Sequence, residues 1–392
     1  MASKLRRLVR AADYGLIRLF SLLPVDRRCL VLQSTPDFSD SARVFYDYLI
    51  ETGVNRDHRI VWLVKDPSKY AAAKNVRFIA SDAPGLMLRR DYWLARAKCV
   101  VFTHSAPLRR WRKEQVFIHT THSASQLKTT ASKAEQAAKK REVLPDYKLR
   151  CGRDGVERLM RVYSLPREAY PIVGLPRLDL LFRHRECVPM LFPGRTFKRV
   201  VICLETYRQS AKWKDSEAAD AFGLNILRAR GELEALNAHL AALDTLLVVK
   251  PHPLQDLSFL ERVQLDHIAF LTDAELSQKG VQLYEFIENC DAMLTDYSSA
   301  FYDFLLLDRP IGFMIGDMAE YTRGFIIDNP LDDMTGPTLR TLDELLAFFD
   351  ALAAGEDGYA EARAALRARV FTYPDDKNCE RLYAFLREKG LE

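Results

Sequence analysis

The sequence lacks the features of disulfide-rich, zinc-binding and membrane-spanning proteins. None of its seven cysteines belongs to a C-x-x-C pair, and several lie inside apolar runs such as KCVVF and VVICL. No run approaches the roughly 18 uninterrupted apolar residues of a membrane-spanning helix, and Asp13 and Arg18 interrupt the first apolar stretch. We therefore expect a cytosolic protein with reduced, buried cysteines, which neither spans a membrane nor is exported.

Other absences narrow the functional classes. The 57 Lys and Arg residues nearly balance the 53 Asp and Glu residues, and the resulting net charge of +4 is too small to indicate nucleic-acid binding. No acidic cluster has the spacing of metal ligands, so we expect neither a metal nor a cofactor. The segment DYSS does not match the G-x-S-x-G pattern of a hydrolase nucleophile.

What the chain does contain is a regular alternation of short apolar runs with helix-like segments. The candidate strands are CLVLQS, RIVWLV, VRFIA, KCVVFT, VFIHT and YPIVG, followed by VVICLE, TLLVVK, HIAFL, AMLT and IGFMI. This alternation predicts an α/β protein with mostly parallel sheets, and 392 residues favour two domains. We predict Rossmann-like domains at residues 26–182 and 199–392, joined by a linker at 183–198, with closing helices at about 342–354 and 378–389.

Residues 1–25 have the pattern of an amphipathic helix with a basic side. Its apolar face contains Leu5, Leu8, Ala12, Leu16, Leu19 and Leu23, and Arg6, Arg7, Arg10 and Arg18 lie mostly opposite. This pattern predicts a helix in the interface of an anionic membrane, although an ordinary helix packed on the first domain has the same periodicity. The basic segments 109–113 and 139–150 also favour a membrane surface, and solvated charge explains them about as well.

Polar residues follow several predicted strands, where ligands bind in open α/β sheets. His122, with Ser123, Ser125 and Lys128, follows VFIHT, and the rigid segment Lys250–Pro253 (KPHP) follows TLLVV. We expect His119 to be structural, and His104, at the end of VVFTH, fits either a structural or a functional role. A histidine near neutral pKa can take a proton from an alcohol, and a lysine can hold a phosphate.

The segment LTDYSS places two serines where a buried strand meets a helix. Ser298 or Ser299 is a natural N-cap, and the free N–H groups of a helix start favour an anion such as phosphate; capping alone also explains the serines. Arg177 in VGLPRLD, and Thr206 with Arg208 after VVICLE, are further candidates for binding phosphate. A surface salt bridge is the alternative for each arginine.

Taken together, these motifs resemble the CDP-glycerol glycerophosphotransferase family of teichoic-acid and capsule polyol-phosphate transferases. The segments that carry the resemblance, from about residue 30 to 386, are HSASQLK, GLPRLD, ETYR, KPHP, LTDYSSAFYDFLLLDRP and EYTRGF. The resemblance implies a GT-B-like fold with two facing Rossmann-like domains, and two essential histidines, His122 and His252. It implies that CDP-glycerol is bound by Ser123, Ala124, Ser125, Gln126, Arg177, Thr206, Lys250, Pro251, Ser298, Ser299 and Asp303. Further candidates are Lys128, Arg208, Asp296 and Arg323.

The implied reaction is transfer of glycerol phosphate from CDP-glycerol to a hydroxyl of a lipid-linked or polysaccharide acceptor, with release of CMP. His122 is expected to be the general base, and protonated His252, with the cationic and hydroxyl groups, to stabilise the pyrophosphate charge. We expect a peripheral protein at the cytoplasmic face of the cell membrane, on an anionic surface, without nucleic acid as a partner. The alternatives are CDP-ribitol as donor, a GT-B glycosyltransferase that uses a sugar nucleotide, and a non-catalytic membrane or nucleic-acid adaptor.

Overall fold

The structure of the protein is a computed structural model. It describes residues 15–82, 87–104, 112–127, 145–163, 165–206, 224–227, 229–251, 265–316, 318 and 324–392. Within these ranges the strands form two sheets, each of six parallel strands. The prediction of an α/β protein with two mostly parallel sheets is therefore confirmed.

The first sheet has the strand order β3-β2-β1-β4-β5-β6. Its strands are β1 (Asp26–Gln33), β2 (Arg59–Val64), β3 (Val76–Ala80), β4 (Ala97–Phe102), β5 (Val116–His119) and β6 (Tyr147–Lys148). The helices of this half are α1 (Asp40–Glu51), α2 (Leu88–Arg96) and α3 (Arg153–Val162), with shorter 3-10 turns at Val54–Arg56, Pro67–Lys69 and Arg167–Ala169. The apolar residues of β2, β4 and β5 are buried almost continuously, as expected for parallel strands covered on both faces.

The second sheet has the order β12-β11-β10-β7-β8-β9. Its strands are β7 (Arg199–Leu204), β8 (Thr245–Val249), β9 (Ile268–Phe270), β10 (Ala292–Thr295), β11 (Ile311–Met314) and β12 (Thr338–Leu339). The helices from the linker onward are α4 (Val188–Leu191), α5 (Arg230–Ala242), α6 (Asp273–Gln278), α7 (Leu283–Glu288), α8 (Ala300–Phe304), α9 (Leu342–Ala354), α10 (Ala360–Val370) and α11 (Asn378–Glu388). Two 3-10 turns lie at Leu305–Leu307 and Pro330–Asp333.

Both sheets have the strand order of a Rossmann fold, and each has one point where the chain reverses its direction of progress across the sheet. In the first sheet this topological switch point lies between β1 and β4, and in the second it lies between β7 and β10. Loops leave such a point in opposite directions and open a crevice beyond the carboxyl ends of the strands. The residues after these four strands are therefore the ones to examine for function.

The two halves are packed together around a 3-10 helix at Pro176–Phe182. This helix contacts α1 of the first half, α7 of the second half and the last helix, α11. One hydrophobic core runs through both halves and includes Leu30 and Phe301. The Asp179 carboxylate accepts hydrogen bonds from the backbone N–H groups of Asn378 and Cys379, both at 2.9 Å, so a residue of the first half caps α11. The division at residues 183–198 stays a prediction.

Several local predictions differ from the structure. The segment YPIVG is not a strand of the sheet: Ile172 forms one isolated parallel bridge with Arg150, and the edge position belongs to β6. The other predicted strands are present, whereas β6, β12 and α10 were not predicted. All seven cysteines are buried and unpaired, as predicted. Residues 15–20 are helical, residues 21–25 of the predicted N-terminal helix are not, and residues 1–14 lie outside the described residues. None of the described helices combines the length and apolar character needed to cross a bilayer.

Candidate active site

Three side chains gather beyond the switch point of the first sheet. Asp40 begins α1 after β1, His104 follows β4, and His122 follows β5, the neighbour of β4. The imidazole rings of His104 and His122 lie 4.1 Å apart between centroids, and His119 packs edge-on against His122 at 5.7 Å. His104 and His122 each keep an exposed surface, whereas His119 is buried. Parallel strands that end at one sheet edge account for this cluster.

The surroundings of the histidines favour their neutral forms. Desolvation in the crowded crevice lowers the pKa of His122 well below its ordinary value, and the charges of His104, Arg177 and Lys148 lower it further, while Asp40 opposes them. Desolvation also lowers the pKa of His104, again against the influence of Asp40. A neutral imidazole can accept a proton, so His122 is in the form that a general base requires at neutral pH.

Arg177 joins the two halves through two buried ion pairs. Its Nη1 lies 3.0 Å from the Asp40 carboxylate, and its Nη2 lies 2.9 Å from Asp303 in α8. The guanidinium also lies over the ring of Tyr284, whose hydroxyl donates to Asp303. Burial alone raises the pKa of Asp40, but the charge and hydrogen bond of Arg177 outweigh burial and hold that pKa below its ordinary value. Asp40 is therefore a carboxylate at neutral pH.

The loop after His122 is fixed by contacts inside the protein. The Ala124 N–H donates to Asp303 at 2.7 Å, and the Ser125 hydroxyl donates to Asp154 at 2.6 Å. The Ser123 hydroxyl donates to the Ser125 carbonyl, and Arg158 donates to the Gln126 carbonyl. All four residues from 123 to 126 are buried. His122 is thus the exposed side chain of an otherwise anchored loop.

The switch point of the second sheet gathers Thr206, Asp296, Ser298 and Ser299. One carboxylate oxygen of Asp296 accepts hydrogen bonds from the Thr206 N–H, the Thr206 hydroxyl and the Ser298 N–H, at 2.9, 3.0 and 2.9 Å. Ser299 is the N-cap residue of α8, as predicted, but its side chain makes no capping hydrogen bond. The helix that follows has five residues, so its dipole is short. The serines are partly exposed.

The remaining predicted residues divide into those that the structure describes and those that it does not. Lys250 follows β8 and its ammonium lies 2.8 Å from Asp273, while Pro251 is buried. His252, Lys128, Arg208 and Arg323 lie outside the described residues. Among the described residues, no group of three or more His, Cys, Asp or Glu side chains has an arrangement suited to a metal ion.

Sequence reasoning missed four residues of this region: Asp40, Tyr284, Arg158 and Asp154. Asp40 follows the predicted strand CLVLQS by a few residues, so the strand-end rule that selected His122 could have found it. Arg158 lies in α3, where its guanidinium contacts Asp154, Asp333 and the Tyr302 hydroxyl. The contact with Asp154 is a local pair four residues apart on α3, whereas Asp333 and Tyr302 are 175 and 144 positions away and no local pattern indicates them.

Comparison with known proteins identifies relatives across almost the whole chain. A family model described as CDP-Glycerol:Poly(glycerophosphate) glycerophosphotransferase matches residues 16–388. A teichoic acid glycerol-phosphate transferase of Staphylococcus aureus is 22% identical over 96% of this chain and 97% of its own length. A teichoic acid poly(glycerol phosphate) polymerase of Staphylococcus epidermidis is 23% identical over 83% of this chain and 48% of its own length.

The fold has a solved counterpart. A structure of the wall teichoic acid polymerase TagF superposes with a TM-score of 0.75 at 20% identity, covering 98% of this chain and 95% of that one. A TagF variant soaked with CDPG gives a TM-score of 0.74 at 19% identity, covering 98% of this chain and 95% of that one. At this identity the likeness establishes the fold.

Proposed function

The chain belongs to the CDP-glycerol:poly(glycerophosphate) glycerophosphotransferase family, and from this membership we propose that it transfers glycerol phosphate from CDP-glycerol to an acceptor hydroxyl. The acceptor oxygen forms a bond to phosphorus, the bond from phosphorus to the CMP oxygen breaks, and CMP leaves. Two relatives, which align with 96% and 83% of this chain, are named as a teichoic acid glycerol-phosphate transferase and a teichoic acid poly(glycerol phosphate) polymerase. We propose a polymer of this type as the product, built on a lipid-linked or polysaccharide acceptor.

The observation that carries this proposal is the convergence of three separate motifs. His122 begins the HSASQLK segment, Arg177 lies in GLPRLD, and Asp303 lies after the TDYSS serines. Asp303 receives hydrogen bonds from both of the other segments, at 2.7 Å from Ala124 and 2.9 Å from Arg177. Positioning of this kind is the main contribution of a protein to phosphoryl transfer.

We propose that His122 takes the proton of the acceptor hydroxyl as that oxygen attacks phosphorus. Its exposed ring and anchored loop support this role, because a general base needs both access to the substrate and a fixed position. His252, Lys128, Arg208 and Arg323 stay candidates from the sequence alone, with His252 assigned to charge stabilisation at the pyrophosphate.

The donor phosphates are proposed to bind cationic and hydroxyl groups at the ends of β7, β8 and β10. Thr206, Lys250 and Ser298 follow these strands, and Lys250 now pairs with Asp273. Phosphate oxygens, like the Asp273 carboxylate, accept charge-assisted hydrogen bonds from an ammonium, so a bound donor would compete with Asp273 for Lys250. Ser299, Asp296 and Pro251 border the same strand ends.

A peripheral membrane position is proposed from an apolar surface near the N-terminus. The leucine patch, formed by Leu19, Leu22, Leu23 and Leu88, has side chains exposed by 59%, 82%, 41% and 50%. Phe20 contacts Tyr92, one turn after Leu88 on α2, and this contact joins the two parts of the patch. Arg18 and Arg89 are exposed beside it. Leucines bordered by arginines suit the interface of an anionic bilayer, such as the cytoplasmic leaflet.

The proposed reaction is tested by following CMP. The full chain is incubated with a lipid-linked acceptor and CDP-glycerol, CDP-ribitol or a UDP-sugar, and we expect CMP to appear with CDP-glycerol. H122N and H252N should each lower the rate at least about a hundredfold, because the proton acceptor or the pyrophosphate partner is lost. H184Q is the control, since His184 is an exposed residue that pairs with Glu288 on the surface.

The pattern of products separates the alternatives. Release of CMP from CDP-ribitol alone would identify ribitol phosphate as the transferred group, and release of UDP from a UDP-sugar would indicate a glycosyltransferase. If no nucleotide is released from any donor while the protein binds anionic vesicles or RNA, the transferase proposal is wrong and an adaptor role replaces it. Near-normal turnover by H122N would remove His122 from the mechanism.

A further inference from the structure

His104 lies in the crevice beside His122 and has no role in the reaction described above. His104 follows β4, and its ring is tilted by 49° over the ring of His122, with 4.1 Å between the centroids. We propose that His104 is a positioning residue: its ring holds the imidazole that takes the acceptor proton and disfavours a second positive charge beside it. The inference deepens the proposed function and rests on His122 as the base.

The backbone around both histidines fixes how the rings meet. Strands β4 and β5 are parallel neighbours, and Phe102 is paired in register with His119, so their loops leave side by side. The Thr103 hydroxyl accepts a hydrogen bond from the Thr35 N–H at 3.0 Å and lies 3.1 Å from the His104 Nδ1. His104 is thus tied to the end of β1 as well as to β4. This contact at Nδ1 orients the His104 ring against the ring of His122.

The His122 ring, by contrast, is held through aromatic contacts. Within the described part of the chain, its ring contacts are with His104 and His119. The preceding Thr121 adopts a φ of 53°, and its hydroxyl donates to the Leu149 carbonyl at 3.1 Å, which fixes the backbone but not the ring. Removing the His104 ring would therefore free the His122 ring to rotate, and the proton acceptor would lose its orientation.

The charges facing the pair show why it carries few protons. His122 faces His104 after β4, His119 in β5, Lys148 in β6, Arg177 in the 3-10 helix and Asp40 at the start of α1. His104 faces Asp40 and Arg177. Asp40 is the one carboxylate of this group and is itself paired with Arg177. The group also contains two cations, Lys148 and Arg177, and three imidazoles. Two imidazolium rings in contact would repel each other, so protonation of one disfavours protonation of the other.

This arrangement predicts the direction of a pH effect. Repulsion from His104 adds to the desolvation that depresses the pKa of His122, so removal of His104 moves that pKa up toward the ordinary value of a histidine. A base with a raised pKa is protonated over a wider acidic range, and the protonated form cannot accept the proton of the acceptor hydroxyl. The acid limb of the rate profile therefore moves to higher pH when His104 is replaced.

Two substitutions in the full chain separate ring contact from charge. His104→Phe keeps an aromatic ring and removes the titratable group, so we expect kcat/KM at pH 8 within about threefold of the parent chain, with the acid limb shifted upward. His104→Ala removes both, so we expect the same upward shift and a loss of about tenfold at pH 8. His239→Gln, at a surface pair with Asp350, is the control and should leave the profile unchanged.

A second measurement keeps this test independent of turnover. The imidazole of His122 is titrated by NMR in the full chain without substrate, with its signal assigned by its absence in H122Q. An upward shift of its pKa in both His104 variants supports the pairing even if CDP-glycerol is never consumed, in which case the proposed function fails alone. An unchanged His122 titration, or a rate loss that is equal at every pH, overturns the role of His104.

Discussion

Arg177 carries two buried ion pairs at the boundary between the halves. Arg177 is 4% exposed, and its guanidinium contacts the carboxylates of Asp40 and Asp303, which are 137 and 126 positions away. A planar fork can hold two carboxylates at once, which a lysine ammonium does less well. The motif GLPRLD predicts an arginine that points into the cleft. It does not predict that both Nη groups of this arginine pair with acidic residues of the protein.

Replacing Arg177 should therefore affect stability as well as activity. R177A leaves the buried Asp303 and the half-buried Asp40 without their partner, and we expect the free energy of unfolding to fall by about 3–5 kcal/mol. R177K keeps one charge and should lose less. Chemical denaturation measures both, with R230A as control, because the exposed Arg230–Glu234 pair contributes about 0.5 kcal/mol or less. R177A within about 1 kcal/mol of the parent chain would show that the paired geometry does not stabilise the protein.

At the residue scale, the sequence indicates which residues follow strands but not which way they face. Ser123 and Ser125 follow β5 as predicted, yet both are buried and hydrogen-bonded within the protein. His122 precedes them and is exposed. The difference arises from α8, which packs on this loop from the other half, through Asp303. A contact between positions 124 and 303 has no local signature in the chain.

At the scale of elements, strands with a distinct apolar run were predicted well and the two edge strands of two residues were not. β6 and β12 have two residues each and lie at the edges of their sheets, where a strand needs little apolar sequence. The apolar segment YPIVG was wrongly predicted as a strand, because Arg150 pairs with Ile172 at one bridge only. Apolar content therefore identifies the central strands and the edge strands β3 and β9, whereas the two-residue edge strands β6 and β12 depend on tertiary contacts.

The packing of helix α3 against the loop after His122 can be tested by a substitution at Gly155. A methyl group at Gly155 would lie 2.6 Å from the Ala124 carbonyl oxygen and 3.3 Å from the Arg150 Cδ. We expect G155A to push this loop away from α3, to lower the free energy of unfolding by about 1–3 kcal/mol and to slow CMP release. Denaturation and the CMP assay measure the two effects.

The matched control for this substitution is another glycine in the first turn of a helix. Gly231 lies near the start of α5, and a methyl group there meets nothing within 4 Å. We expect G231A to change stability by no more than about 1 kcal/mol, in the stabilising direction, since alanine favours a helix. If G155A is as stable and as active as G231A, the contact between α3 and the loop does not constrain His122.

At the scale of the whole molecule, the two halves share one hydrophobic core and pack around the Pro176–Phe182 helix. The chain returns from the second half to place α11 on the first, where Asp179 accepts three hydrogen bonds from Asn378 and Cys379. The alternation of strands and helices predicted two sheets, whereas this return could not be predicted, since the residues that carry it are about 200 positions apart. One side of the first half, at Leu19, Leu22 and Leu23, is exposed to solvent.

That side carries the leucine patch, which we expect to bind anionic membranes. The full chain should float with vesicles that contain phosphatidylglycerol at low salt, and less with neutral vesicles or at high salt, because the neighbouring arginines are screened. Leu22→Glu removes the most exposed leucine of the patch and adds a charge that an anionic surface repels, so the bound fraction should fall about tenfold. Leu331→Glu is the matched control, since Leu331 is 40% exposed on the second half. Equal flotation of both variants would place membrane contact elsewhere, and CMP release from a soluble acceptor should be unaffected in either.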